Sequence, residues 1–210
     1  MTEARVRRRG RPTVSSAERI ERRAIELFLE QGFDQTSMAQ VAAACEVGRS
    51  TLFRYFPAKA DIVWRGFDVH LRQLARALEQ QPDDRAVMQA VHAAVIEAFA
   101  EAVDGADLWL QRFEVQNQSE TLRPGIATRW LAWADEISHF VAARTETAPD
   151  HPNAAAVGGA VQGAYAGRLR TWLRPEDVNG DAVAAMDVAL QPVCEVLTGL
   201  LSDPPRSTEV

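Results

Sequence analysis

Apolar residues recur at helical spacing along most of the chain, and strand-like runs of Val, Ile and Thr are absent. Ser15 and Glu18 form a capping box before the first apolar stripe, and Gly32 ends that helix. A second stripe runs over residues 38–45, and a third short helix is expected over about 49–56. The pattern predicts an all-α chain that begins with three short helices.

Six longer helical segments are expected after the first three. They span about 58–80, 84–103, 106–118, 126–145, 153–173 and 181–201. The breaks between them include residues 119–125 and the loop TAPDHPN, and Pro192 is a candidate kink in the last helix. The expected organisation is a flexible basic arm at 1–14, a three-helix domain at 15–58, a helical bundle at 59–203 and a flexible tail at 204–210.

The charge distribution divides the chain into a basic head and an acidic body. The 210 residues have a formal net charge of −6 at pH 7. Residues 1–60 carry 11 Lys and Arg against 7 Asp and Glu, whereas residues 61–210 carry 12 against 22. Five of the arginines lie within residues 5–11. This asymmetry favours binding of nucleic acid by one end only.

Two cysteines, Cys45 and Cys194, lie on apolar helix faces outside any CxxC pattern, so reduced thiols in a cytosolic protein are expected. The N-terminal arginines are followed by a polar helix, which is unlike a signal peptide. No stretch reaches the ~18–20 uncharged apolar residues of a membrane span. These observations predict a cytoplasmic protein with no membrane partner.

Residues 36–59 are the most informative segment, because they predict two short helices joined by a tight turn at residues 46–48. In a helix-turn-helix the second helix lies in the major groove of DNA. Leu52 and Phe56 stand four residues apart and are expected to face the core, which turns the Arg and Ser side chains outward. Arg pairs with guanine, Ser reads several base edges, and helix N-termini bind phosphate. The predicted DNA-contacting residues are Arg8, Arg9, Arg11, Thr36, Ser37, Gly48, Arg49, Ser50, Thr51, Phe53, Arg54, Tyr55 and Lys59.

Two simpler interpretations of this region stay open. The three helices could form an ordinary trihelical core with no role in DNA binding. The arginine-rich arm could be a solvated tail, although flexible arms of this kind also enter the minor groove or contact phosphate.

The stretch ELFLEQGFDQTSMAQVAAACEVGRSTLFRYFPAKADI, residues 26–62, resembles the TetR family of bacterial transcriptional regulators. The resemblance is close over about 15–65 and continues in the nine-helix layout and the length. It implies a helix-turn-helix domain followed by a helical bundle for ligand binding and dimerisation. Three positions depart from the family pattern: Glu46 stands in place of Gly, Gly48 in place of a polar cap and Phe53 in place of Tyr.

The middle helices are rich in large aromatic rings. In the TetR family this region encloses a ligand cavity, and an aromatic lining with few polar groups suits an apolar effector. Core packing is the alternative for each ring. The candidate pocket residues are Phe67, Phe99, Trp109, Arg112, Phe113, Gln116, Trp130, Trp133, Tyr165 and Arg168. The stretch TLFRYFPAKADIVWRGFDVHLRQL further resembles regulators linked to mycofactocin biosynthesis, a branch that implies an acyl-coenzyme A effector.

The eighth helix has a glycine at every fourth position, which would let a second helix approach closely. TetR-like proteins dimerise through their last two helices, so the resemblance implies a homodimer. The candidate interface residues are Gly159, Gly163, Gly167, Val193 and Leu197. A close contact within one subunit is the alternative.

Enzyme signatures such as GxSxG, HExxH and a Gly-rich dinucleotide loop are missing, and no histidine pair has metal-ligand spacing. We therefore expect no catalytic residue, no cofactor and no metal. The expected function is that of a dimeric repressor that binds a palindromic DNA operator and is released by an effector. A ligand-independent regulator or activator, a non-specific architectural DNA binder, and a helical enzyme or sequestration protein are the rival hypotheses.

Overall fold

The structure is a computed structural model, and it describes residues 16–103, 106–172 and 181–202. Within these ranges the chain forms nine helices and no strand, so the expected all-α fold is confirmed. The helices are α1 Ser16–Gln31, α2 Met38–Ala44, α3 Arg49–Tyr55, α4 Lys59–Glu79, α5 Val87–Val103, α6 Ala106–Gln118, α7 Arg123–Arg144, α8 Pro152–Trp172 and α9 Ala182–Ser202.

The first three helices pack around a small apolar core. Leu52 and Phe56 are buried in it beside Ile20, Ile25 and Phe28 of α1, as the spacing predicted. This core is small, and apolar side chains from α4, α6 and the turn after α6 complete it. The helix-turn-helix unit, which we call the head, is thus anchored on α4 and α6.

Local signals set the ends of these short helices. Gly32 follows α1 with φ of 84°, the left-handed conformation expected at a helix C′ position. Ser37 and Gln40 form a capping box at the start of α2. Glu46 in the turn has φ of 54°, a left-handed conformation that glycine adopts more easily than other residues. The family preference for glycine at this position has the same cause, and this chain holds a glutamate in that conformation.

Helices α4 to α9 form the body, with α7 against α8, α5 between α4 and α9, and α6 in contact with α5 and with α1 of the head. Phe99, Trp133 and Tyr165 are fully buried at its centre. Helix α8 approaches α7 most closely at Gly158, where a Cβ would overlap the Ala134 carbonyl and the Ser138 hydroxyl. This position explains one glycine of α8 by packing inside the subunit.

Two helix starts differ from the sequence expectation. Helix α7 begins at Arg123 instead of about 126, because Pro124 lies in its first turn, where a missing N–H costs no helical hydrogen bond. Helix α5 begins at Val87 instead of about 84. Helix α9 is one continuous helix through Pro192. By length and composition alone, Ala182–Leu201 of α9 is also long and apolar enough to cross a membrane. The sequence contains no uncharged run of that length there, because Asp187 and Glu195 lie within the segment.

Candidate nucleic-acid interface and internal cavity

Helix α3 presents one polar and aromatic face to solvent. Its opposite face is tied to the core by Leu52, which has no exposed surface. Phe53 and Tyr55 are 47% and 38% exposed, unusual values for such large rings. Arg54 is exposed as well, with its guanidinium carbon 5.3 Å from the centre of the Tyr55 ring. The fold therefore displays side chains suited to stacking, base-edge hydrogen bonds and phosphate contact on one short helix.

The N-terminal end of α3 is open. Gly48, Arg49 and Ser50 are exposed, Thr51 is half-buried, and a Cβ added at Gly48 would meet no atom within 4 Å. No side chain caps this helix, so its first amide groups are available to an anion. Gly48 stands where the family usually has a polar capping residue. Within the described residues, the first N–H groups of α3 therefore have no side-chain acceptor.

Two of the predicted phosphate contacts are engaged inside the protein. The Thr36 side chain is buried, and its hydroxyl donates to the Gly32 carbonyl at 2.7 Å. The Lys59 ammonium donates to the carbonyls of Phe33 and Thr36 at 2.6 and 2.8 Å, and lies 4.2 Å from the Phe33 ring centre. Burial also lowers the pKa of Lys59. These two side chains hold the α1–α2 turn against the start of α4 in this DNA-free structure, and their predicted contact with DNA stays a prediction.

Ser37 is exposed at the start of α2, and its hydroxyl lies within hydrogen-bonding distance of the Gln40 side chain and backbone N–H. It remains near the surface that carries α3. Arg8, Arg9 and Arg11 lie outside the described residues.

A cavity of about 430 Å³ opens between the head and the body, and we call it the outer cavity. Its walls come from α1, α4, α5 and α6, and its charged lining includes three arginines, Arg22, Arg65 and Arg112. Glu18 and Glu101 also line it, and Glu101 is paired with Arg76 at 2.5 Å. The outer cavity therefore combines a cluster of guanidinium groups with solvent access.

A small apolar space of about 20 Å³, the inner pocket, lies next to the outer cavity and shares Gly66, Trp109 and Arg112 with it. The remaining lining residues are Phe67, His70, Phe113, Gln116 and Trp130. Six of the ten candidate pocket residues thus lie around one space. Gly66 and His70 were not among the pocket candidates, although the apolar neighbours of His70 along the chain predict a buried histidine, as the structure shows.

The other four candidates lie elsewhere. Phe99, Trp133 and Tyr165 are fully buried behind the inner pocket and act as core residues in this structure, in agreement with the core-packing alternative. Arg168 lies beside Val188 on the surface shared by α8 and α9, with its guanidinium donating to the Thr171 hydroxyl at 2.8 Å. Arg168 does not line the inner pocket in this structure, and its predicted role at a ligand site stays a prediction.

His70 is the polar centre of the aromatic cluster. Its Nε2 accepts from the Trp133 indole N–H at 3.3 Å and lies 3.0 Å from the Tyr165 hydroxyl. Because an indole N–H can only donate, Nε2 is the unprotonated nitrogen and Nδ1 carries the proton. Nδ1 makes no hydrogen bond within the described residues, although the Ala98 carbonyl is near enough to favour the charged imidazole. Burial dominates and lowers the pKa of His70 to about 4.

The outer faces of α8 and α9 are unusually apolar. Gly159 and Gly163 are exposed, and a Cβ at either would meet nothing within 4 Å. Val188 and Val196 on α9 are 70% and 76% exposed. The alternative of a contact within the subunit therefore applies to Gly158 and not to these two glycines.

Three of the predicted interface residues have other surroundings. Gly167 is half-buried, and the Arg170 guanidinium lies 3.9 Å from the place that a Cβ of residue 167 would occupy. Val193 is half-buried against the body core, and Leu197 is buried in it. Leu197 faces the subunit interior, whereas Val188 and Val196 of the same helix face solvent. Leu197 is therefore covered within the subunit, and its predicted contact with a partner stays a prediction.

Comparison with known proteins identifies the family. Residues 20–65 match the family described as bacterial regulatory proteins of the tetR family, and residues 85–198 match the MftR C-terminal domain. The chain belongs to the TetR family of bacterial transcriptional regulators, as its helix-turn-helix and nine-helix fold indicate.

Relatives and solved structures agree with this assignment. The chain is 31% identical over 171 residues to the candidate mycofactocin biosynthesis transcriptional regulator MftR of Mycobacterium tuberculosis, covering 81% of this chain and 86% of that protein. Among solved structures, the SmeT–triclosan complex has a TM-score of 0.63 at 18% identity and covers 84% of this chain and 90% of SmeT. Thermus thermophilus FadR in complex with lauroyl-CoA has a TM-score of 0.56 at 23% identity, covering 90% and 97%.

Proposed function

We propose that this regulator is a cytoplasmic homodimeric repressor, not an enzyme, which binds a palindromic operator and is released by an acyl-coenzyme A. The observation that carries the proposal is the exposed face of α3, where Phe53, Arg54 and Tyr55 stand in solvent on a helix anchored by buried Leu52. Each subunit would place α3 in one major groove, and twofold symmetry would set the half-site spacing.

Arg54 and Tyr55 would contact bases and phosphates from α3, with Arg49, Ser50 and Thr51 near its N-terminal end. The open amide groups of that end, next to Gly48, would bind one phosphate. Ser37 would contact the backbone from the start of α2, and the arm with Arg8, Arg9 and Arg11 would reach the neighbouring groove. Phe53 would offer apolar contact to a thymine methyl group.

The two connected spaces support a ligand with an anionic head and an apolar tail. Arg22, Arg65 and Arg112 on the outer cavity would receive phosphate or carboxylate oxygens. The aromatic inner pocket would receive the acyl chain. Since the inner pocket holds only about 20 Å³, an acyl chain has to displace aromatic rings to enter. Such displacement would couple ligand binding to the arrangement of the helices.

The lauroyl-CoA complex of Thermus thermophilus FadR makes lauroyl-CoA a suitable probe. The exposed glycines of α8 and the exposed valines of α9 would pack against a second copy, where Gly159 and Gly163 permit close helix approach. Dimerisation would then place two α3 helices on one operator.

The test begins by selecting operator DNA from a random pool with the purified protein and measuring its affinity by fluorescence anisotropy at near-physiological salt. Arg54→Ala should weaken specific binding by roughly 5- to 150-fold, the range of a lost base contact of about 1–3 kcal/mol. Arg85→Ala, between α4 and α5, is the matched control and should bind normally. Binding that lacks sequence preference and falls steeply with salt would instead indicate an architectural protein.

Lauroyl-CoA is then added to the complex with the selected operator. Release of the DNA supports the proposed effector class, whereas tightened binding would indicate an activator or corepressor mode. Specific binding that ignores the thioester would indicate a ligand-independent regulator or a different effector.

A further inference from the structure

Glu21 is a carboxylate of the head that is buried under arginines from the body. Its side chain has no exposed surface. One oxygen, Oε2, accepts from the Arg65 Nη1 of α4 at 2.6 Å. The other, Oε1, accepts from both Nε and Nη2 of the Arg112 guanidinium of α6 at 2.7 Å. A buried carboxylate depends strongly on such partners, so these contacts tie α1 to the body.

Arg112 also forms part of the walls of both spaces. It lines the outer cavity and the inner pocket, and its side chain is 14% exposed. Its side chain lies flat against α4 because residue 66 is glycine: a Cβ there would be 2.5 Å from Cδ and Nε of Arg112. The same guanidinium thus faces the carboxylate of the head on one side and the candidate ligand space on the other.

The contact between α1 and α6 is the place where this guanidinium can influence the head. Leu108 and Val115 of α6 are buried in the core of the head, so a shift of α6 relative to α1 must move or loosen the head. When Arg112 turns toward an anion in the outer cavity, Glu21 keeps Arg65 as its partner. An exchange of partners therefore leaves no carboxylate buried without a cation.

We propose that Arg112 is the residue that links occupancy of the outer cavity to the head: it binds Glu21 in the DNA-binding arrangement and moves to the anionic group of the ligand in the released arrangement. This inference rests on the proposed function for the identity of the ligand. The link between Arg112 and the head does not depend on which ligand binds. Arg112 acts as a positioning residue for α1 and as a ligand contact.

The first test uses no ligand. Glu21→Gln keeps the shape and removes the charge, Arg112→Met removes the guanidinium, and the double variant combines them. Operator affinity and hydrogen exchange of the α1 amides are measured for all three. Each single variant should weaken operator binding by about fivefold or more and speed exchange in α1, and the double variant should be no worse than the stronger single one.

Asp68→Asn is the matched control, because Asp68 pairs with Arg129 of α7 at 3.2 Å and does not contact α1. It should leave operator affinity and α1 exchange close to those of the unchanged protein. Unaltered affinity and exchange in Glu21→Gln and Arg112→Met, or additive effects in the double variant, would overturn the proposal.

Gly66→Ala displaces the Arg112 side chain and keeps both charged residues, Glu21 and Arg112. Alanine favours a helix over glycine, and the atoms that its Cβ would meet belong to the flexible end of Arg112. The substitution should therefore displace Arg112 and weaken operator binding, while the higher helix propensity of alanine offsets part of the stability lost with the Arg112–Glu21 contact. Normal operator affinity together with a crystal structure in which Arg112 has left Glu21 would overturn the link.

Lauroyl-CoA binding to the same variants tests the ligand half. Glu21→Gln should bind it more tightly, because the carboxylate no longer competes for Arg112, and Arg112→Met should bind it more weakly. A merely structural role would weaken both. If the unchanged protein does not bind lauroyl-CoA, the acyl-coenzyme A assignment fails, and the ligand-free measurements still decide whether Arg112 controls the head.

Discussion

The apolar surface of α8 and α9 makes a quantitative prediction about dimerisation. Val196 is 76% exposed in the isolated subunit, so it gains burial only if a second copy covers α9. Val196→Ala removes two methyl groups. At about 0.8 kcal/mol for each buried methylene-sized group, and with about three quarters of the surface gained at the interface, each subunit loses about 1.2 kcal/mol.

Twofold symmetry places the substitution on both sides of the interface, so the loss is counted twice. The dimer should be weakened by about 2.4 kcal/mol, which corresponds to roughly a 50-fold increase in the dimer Kd. The stability of the isolated subunit should hardly change, because Val196 contributes little to its core in this structure.

Sedimentation equilibrium over a wide concentration range measures this Kd. Leu131→Ala is the matched control: Leu131 is also apolar and 65% exposed, but it lies on α7. If Val196→Ala and Leu131→Ala dimerise equally well, the α8–α9 face is not the interface. If the unchanged protein is a monomer at all concentrations, the proposed homodimer is wrong.

Three further predictions concern stability and reactivity. Burial lowers the pKa of His70 from 6.5 to about 4. The unfolded chain therefore binds an extra proton between these pH values, and the free energy of unfolding should fall by up to about 3 kcal/mol as the pH drops through that window. Urea unfolding at several pH values should show a smaller fall for His70→Asn. An equal fall in both proteins would contradict a neutral buried imidazole. Burial raises the pKa of Cys194 to about 11, so a thiol reagent at pH 8 should modify it slowly in the native protein and rapidly after unfolding. Ser37→Ala removes the capping box of α2 and should cost about 1 kcal/mol in chemical unfolding, whereas Ser50→Ala, which removes no cap, should cost less.

Much of the fold follows from local patterns along the chain. The apolar stripe of α1, the end of that helix at Gly32 and the core spacing of Leu52 and Phe56 were all predicted, because helix periodicity and capping depend on residues within a few positions of one another. The TetR resemblance of residues 26–62 has the same origin, since the helix-turn-helix motif is continuous in sequence. The nine helices were therefore predictable, and the errors fell at their ends.

The sequence alone could not show which polar side chains are free to contact DNA and which make hydrogen bonds inside the protein. Thr36 and Lys59 have the chemistry of phosphate contacts, but their hydrogen bonds to backbone carbonyls depend on how the α1–α2 turn meets α4. Gly158 and Gly159 are neighbours on α8, and only the packing of α7 shows that Gly158 contacts α7 while Gly159 is open to solvent.

The sequence by itself determined the class of protein, the order of its helices and the face of α3 that is turned outward, because these depend on short-range periodicity and on a contiguous motif. Tertiary structure alone brought Glu21, Arg65 and Arg112 together from α1, α4 and α6. Their pairing depends on the packing angle of helices up to 91 residues apart in sequence, and no local pattern encodes that angle. The physical connection between the head and the cavity is therefore a property of the fold and not of any one segment.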